Sequence, residues 1–109
     1  MTPGSEVRVV LMTAPDVETG EKLARALVEA RLAACVNVVP GVRSIYRWQG
    51  EVKSEAEVLL VAKTRADRTA ALTTRVRDLH PYDVPEVLEL CAGGGHLAYL
   101  DWVRRESSP

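Results

Sequence analysis

An α+β fold is predicted by three observations: the order in which apolar patterns alternate, a turn dipeptide near the middle, and the chain length. The patterns run strand, helix, strand, strand, helix, strand, with a short helix to close. Gln49-Gly50 divides the two central extended stretches as a hairpin turn. A length of 109 residues allows one core and not two. The simplest closed arrangement is an antiparallel four-stranded sheet with both main helices on one face, a ferredoxin-like βαββαβ sandwich with right-handed crossovers. It implies a single domain over 7–106, a flexible N-terminus at 1–6 and a flexible tail at 107–109.

The run VRVVLMTAP (7–15) is short, β-branched and closed by proline, which predicts a strand. In DVETGEKLARALVEARLAA (16–34), Asp16 stands as N-cap and Leu23, Leu27 and Ala30 recur at helical spacing, so the segment is an amphipathic helix. Gly20 weakens its first turn by about 1 kcal/mol relative to alanine. Residues 35–64 form a long hairpin whose first arm is interrupted at Pro40-Gly41. A second helix is predicted over 66–80, capped by Asp67 and burying Leu72, Val76 and Leu79. PEVLELCA (85–92) reads as the last main strand, and GGG (93–95) as a turn. HLAYLDWVRRE (96–106) is a short helix with Leu97, Leu100 and Val103 in register.

A strand with one wet face alternates apolar and polar residues. These strands do not. Val9 and Leu11 point opposite to Val10 and Met12; Leu59 and Val61 oppose Val58, Leu60 and Ala62; Val87 opposes Leu88. Both faces of the sheet are therefore apolar, while the two main helices cover one. A second copy of the chain is the simplest cover for the other face. The hairpin leads the same way, because arms of about 13 residues exceed the usual strand of about 5–6 and a two-stranded projection is marginal alone.

Composition narrows the function classes. Apolar residues make up 47% of the chain, with no Phe, so the core is aliphatic. A net charge of −1 lacks the basic footprint of a nucleic-acid partner. Neither a basic start with a long apolar run nor a stretch of about 18 apolar residues is present, so no membrane partner is expected and the protein is read as cytoplasmic. Cys35 and Cys91 are then free thiols, too widely separated for a zinc ribbon.

The blocks RLAACVNVVPGVRSIYRWQGEV (31–52), VAKT (61–64), HPYDVPEVLEL (80–90) and YLDWV (99–103) closely resemble the CutA divalent-cation tolerance proteins. The resemblance extends from about Val7 to Trp102. It implies a ferredoxin-like fold, a PII-like homotrimer, tolerance of copper and other divalent cations, and metal binding; no nucleophile with a base and orienting group is evident in the sequence, so neither catalysis nor a metal requirement for folding is expected. The alternative it leaves open is a PII-like regulatory module that binds a small anion or a partner protein between subunits.

Paired CxxC, HExxH and EF-hand patterns are absent, so the candidate soft-metal ligands are Cys35, Cys91, His80, His96, Met1 and Met12. Cys35 is either a small core residue or a ligand; it matches the family's recurrent cysteine, which favours it over Cys91 as a copper ligand. His80, ending the second helix, either bonds terminal carbonyls or coordinates metal. Lys63 either snorkels to the sheet edge or, with Tyr82 and Glu86, lines an intersubunit ligand cleft. Tyr46, Trp48 and Trp102 are read as subunit-interface packing. Pro81 and Pro85 remove two amide donors and hold HPYDVPE extended, fixing its polar side chains around a corner. Such a corner suits an interface lock or a small ligand site.

Overall fold

The computed structural model describes residues 3–109. Met1, one of the candidate soft ligands, lies outside the described residues. The elements are β1 (Val7–Ala14), α1 (Val17–Glu29), β2 (Cys35–Trp48), β3 (Glu51–Arg65), a single 3-10 turn (Ala66–Arg68), α2 (Thr69–Leu79), β4 (Val87–Cys91) and α3 (Leu97–Glu106). The sheet is antiparallel with strand order β2-β3-β1-β4, the ferredoxin-like order expected from the βαββαβ pattern.

Asp16 caps α1 as expected, its Oδ1 accepting from the Thr19 N–H at 2.7 Å. The bond to that amide holds the carboxyl below its usual range. The helix stops earlier than its pattern suggests. Arg31 takes a φ of 58°, the Leu32 and Ala33 amides both turn back to the Leu27 carbonyl, and Ala34 joins Lys63 of the sheet. Gly20, which propensity marks as a weakness, is what lets the helix approach the sheet. A Cβ there would sit 3.0 Å from Val58 Cγ2 and 3.3 Å from Leu60 Cδ2. We expect Gly20→Val to lower stability by about 1–3 kcal/mol through overpacking. Urea unfolding should show a lower midpoint with an unchanged slope; an unmoved midpoint would mean that the interface gives way freely.

Two other expectations are corrected at helix ends. The second helix begins at Thr69, and Asp67 does not cap it, because its carboxylate is taken by the Arg65 guanidinium at 2.6 Å. Leu79 is exposed instead of buried, since it lies at a helix end that overhangs the core. The termini are also better held than their composition implies. The Ala66 and Asp67 amides bond to the Glu6 and Gly4 carbonyls, and Arg104 reaches the Ser5 carbonyl. At the tail, Arg31 donates to the Ser108 and Arg105 carbonyls at 2.7 Å each, and buried Ser107 bonds the Val103 carbonyl. Residues 4–6 and 107–108 are thus tied to the body of the domain by hydrogen bonds, several of them donated by arginines.

The core lies between the two long helices and one sheet face, where Val10, Met12, Leu23, Leu27, Leu60, Leu72 and Val76 are buried together. A smaller cluster of Val7, Ala34, Leu100 and Val103 sits on the opposite face, where α3 folds over one end of the sheet. The remainder of that face stays open. Facing strand partners set its rows: Cys35, Lys63, Val9 and Leu90, then Asn37, Val61, Leu11 and Leu88, then Val39, Leu59 and Thr13. Leu88 is 53% exposed and Leu90 43%. The face is mainly apolar, as the strand patterns require.

The hairpin arms are 14 and 15 residues long and help stretch the molecule to 46 Å. Gln49 and Gly50 both adopt positive φ, the geometry of a tight I′-type turn. Between Val39 and Val42 the register shifts by one residue, with Gly41 at a φ of 81°. This bulge changes which residues of β2 share a face. Cys35, Asn37 and Val39 point to the open side before it; Val42, Ser44, Tyr46 and Trp48 do so after it.

Candidate functional site

The HPYDVPE corner packs against the far end of the sheet from α3. His80 leaves α2 in extended conformation, its amide closing the helix on the Val76 carbonyl. Its ring is buried and turns toward β1, not toward the helix carbonyls. Nε2 lies 2.7 Å from the Thr13 carbonyl oxygen, and the Tyr82 amide donates to Nδ1 at 3.1 Å. A carbonyl only accepts and an amide N–H only donates, so the ring is the Nε2–H tautomer with both nitrogens engaged. Both ring nitrogens are thus engaged within the chain, and coordination of a metal by His80 would require breaking one of these bonds.

The two prolines hold the next residues over the hairpin. The Tyr82 ring lies 4.5 Å from that of His80, and its hydroxyl donates to Glu57 Oε2 at 2.7 Å. Burial, and then the bond to Glu57, pushes the Tyr82 phenol well above its usual value, so it stays a neutral donor. Glu57 follows the bulge in register with Val42 and is only 8% exposed. Beneath the corner opens a cavity of about 640 Å³. One wall is Tyr46 and Trp48 of β2, another is Lys53, Glu55 and Glu57 of β3, and Tyr82, Asp83 and Glu86 form the rim. Tyr46 is raised above its ordinary pKa, first by its hydrogen bond to Glu55. The bulge was the missed signal here: Pro40-Gly41 was legible as an interruption, but its effect on side-chain parity emerges only with the register.

Lys63 is not part of this cavity. It stands six residues from Glu57 along β3, about 20 Å at roughly 3.3 Å per residue, and donates to Asn37 Oδ1. Within one chain Lys63 therefore lies apart from Tyr82 and Glu86, toward the opposite end of the sheet, so the three could share a cleft only between subunits. Cys35, facing Lys63 across β2 and β3, is half-buried with Sγ 3.6 Å from the Tyr99 hydroxyl. That bond and then burial raise the Tyr99 phenol above its usual value, and either group can act as the donor. Cys35 and His80 thus do not meet in one chain.

The remaining candidates are dispersed. Met12 is fully buried on the helix side of the sheet, Cys91 is an exposed free thiol in an edge strand, and His96 is an exposed residue before α3. Trp102 stacks on Tyr99 with ring centres 5.7 Å apart and packs on the small core cluster; Tyr46 and Trp48 remain partly exposed on the hairpin. Among the described residues no group of three or more His, Cys, Asp or Glu side chains could hold a metal ion. Among the described residues no helix is long and apolar enough to cross a membrane.

These features define a ferredoxin-like α+β protein with a projecting hairpin, one uncovered apolar sheet face and a carboxylate-rich corner cavity. The profile of the CutA1 divalent ion tolerance protein family matches residues 8–106, and the chain belongs to that family. It is 52% identical over 99 residues to the divalent-cation tolerance protein CutA of Thermus thermophilus, covering 91% of this chain and 96% of that one. It is 46% identical over 103 residues to human protein CutA, covering 94% of this chain and 57% of the relative, so it spans little more than half of that protein. The crystal structure of CutA from Xylella fastidiosa superposes with a TM-score of 0.92 at 40% identity, covering 94% and 99% of the two chains. A structure described as the periplasmic divalent cation tolerance protein CutA from Archaeoglobus fulgidus gives 0.90 at 30% identity, covering 94% and 99%.

Proposed function

We propose that this chain is a homotrimer that binds divalent metal, copper foremost, and contributes to divalent-cation tolerance by binding and not by catalysis. The observation that carries this reading is the family match over residues 8–106, with a relative named for divalent-cation tolerance at 52% identity. The open apolar face supports assembly, since contiguous exposed apolar surface marks an interaction site. The reduced state of two widely spaced thiols is compatible with a cytoplasmic location. Cys35 is the ligand of choice for copper: thiolate is the soft donor, and the residue lies on the open face where a second copy can add further ligands.

Calorimetric titration of Cu(I) and Cu(II) into wild type, Cys35→Ala and His80→Ala tests the assignment. Losing a first ligand costs at least what losing a supporting group does, about 10-fold or more in affinity. Cys35→Ala is expected to show that loss for Cu(I), while His80→Ala retains wild-type affinity. Equal binding by Cys35→Ala removes the thiol from the site. A wild type that takes up no copper at all would make any role in tolerance indirect.

A further inference from the structure

We propose that neighbouring copies of the chain meet head to tail on the open sheet face, with the Lys63 ammonium of one copy entering the acidic corner of the next. This pairing rests on the homotrimer reading above and adds which surfaces meet and in what direction. Side chains of odd number on β3 point to the open side, and toward the base of the hairpin they run Glu55, Glu57, Leu59, Val61, Lys63. Glu86, Leu88 and Leu90 repeat the order at the β4 edge, carboxylate first and apolar after. The face therefore has an acidic end, an apolar middle and a cationic end.

Neither end is neutralised within the chain. Among the described residues the ion pairs are Arg8–Glu89, Lys22–Glu18, Arg65–Asp67 and Arg104–Asp101. Lys63 is left with the neutral oxygen of Asn37, and Glu55, Glu57 and Glu86 have no cation. The two ends stand about 20 Å apart along β3 at roughly 3.3 Å per residue, too far to pair in one molecule. An apolar cover over this face strands the half-buried ammonium, and a buried charge without a partner is costly. Laying two copies end on like end sets carboxylates against carboxylates. Turning the cationic end of one toward the acidic end of the next pairs opposite charges and brings the valines and leucines between them together. A contact between two different patches of identical copies is heterologous and can close into a ring, as a threefold assembly requires. The corner cavity, rimmed by Glu55, Asp83 and Glu86, is then completed by the neighbouring subunit.

Charge reversal followed by light scattering on dilution tests the pairing. Lys63→Glu should raise the protein concentration at which the assembly dissociates by about 10-fold or more. Combining it with Glu55→Lys and Glu86→Lys in the same chain restores opposite charges across the contact, and recovery of the wild-type mass is expected. Such recovery reports contact between copies, because the exchanged groups are too distant to meet within one. A second measurement needs no variant. A carbodiimide joins an ammonium to a carboxylate only where the two touch, so treated wild type should yield Lys63 linked to Glu55, Asp83 or Glu86 on digestion and mass spectrometry. Mixed isotopically light and heavy copies should show that link crossing between chains. An assembled wild type in which Lys63 gives no such link overturns the pairing, as does a Lys63→Glu variant that keeps the wild-type mass at every dilution; either leaves the trimer reading intact. A wild type that is a single subunit overturns both.

Discussion

Val61→Asp is expected to abolish self-association, taking the apparent mass from three times to one times the 11.9 kDa of the chain in light scattering. Val61 is half-buried within one chain and shares its row with Asn37, Leu11 and Leu88 in the middle of the open face. In an isolated chain a carboxylate there points to water, and surface substitutions of that kind change stability by about 0.5 kcal/mol or less. In the assembly proposed here the same carboxylate would be enclosed against apolar side chains without a partner, a cost of several kcal/mol at every copy of the interface. Thermal unfolding should fall together with the mass. A variant that keeps a trimeric mass and wild-type unfolding would place the subunit contacts elsewhere and leave the apolar row without a partner.

Leu60→Ala should destabilise the chain by about 3 kcal/mol, within the range of about 2–5 kcal/mol found for buried leucines. Leu60 is fully buried among Met12, Leu27 and Leu72, and its Cδ2 also sets the depth at which α1 can approach through Gly20. The cavity left behind has walls on both the sheet and the helices, so little collapse can fill it. Denaturant unfolding is the direct measurement, made at fixed protein concentration because an assembling protein gains apparent stability by mass action. A loss below about 1 kcal/mol would mean that α1 shifts to refill the space.

The two substitutions separate the two faces of one strand. Leu60 and Val61 are adjacent and equally apolar, yet the first is expected to act through folding and the second through association. That division was legible in the Val58–Ala62 stretch of β3, where no polar position interrupts and two apolar sets point in opposite directions. The hairpin, its Gln49-Gly50 turn, the Asp16 cap and the strand order could be read in the same way, because each depends on local chemistry or on short connections.

What the amino-acid sequence determined by itself was therefore the element order, the ferredoxin-like sandwich, the doubled apolar sheet and, through its motifs, the family. Tertiary structure alone decided which polar groups meet. It engaged both nitrogens of His80, set Lys63 far from Tyr82, drew Asp67 away from α2 to Arg65, and tied the tail through Arg31. It also used a one-residue bulge to bring Tyr46 and Trp48 to the same face of the hairpin as Glu57. The reason is physical: apolar periodicity is a property of neighbours along the chain, whereas a hydrogen bond or charge contact between distant segments depends on register, and a shift of one residue changes every partner beyond it.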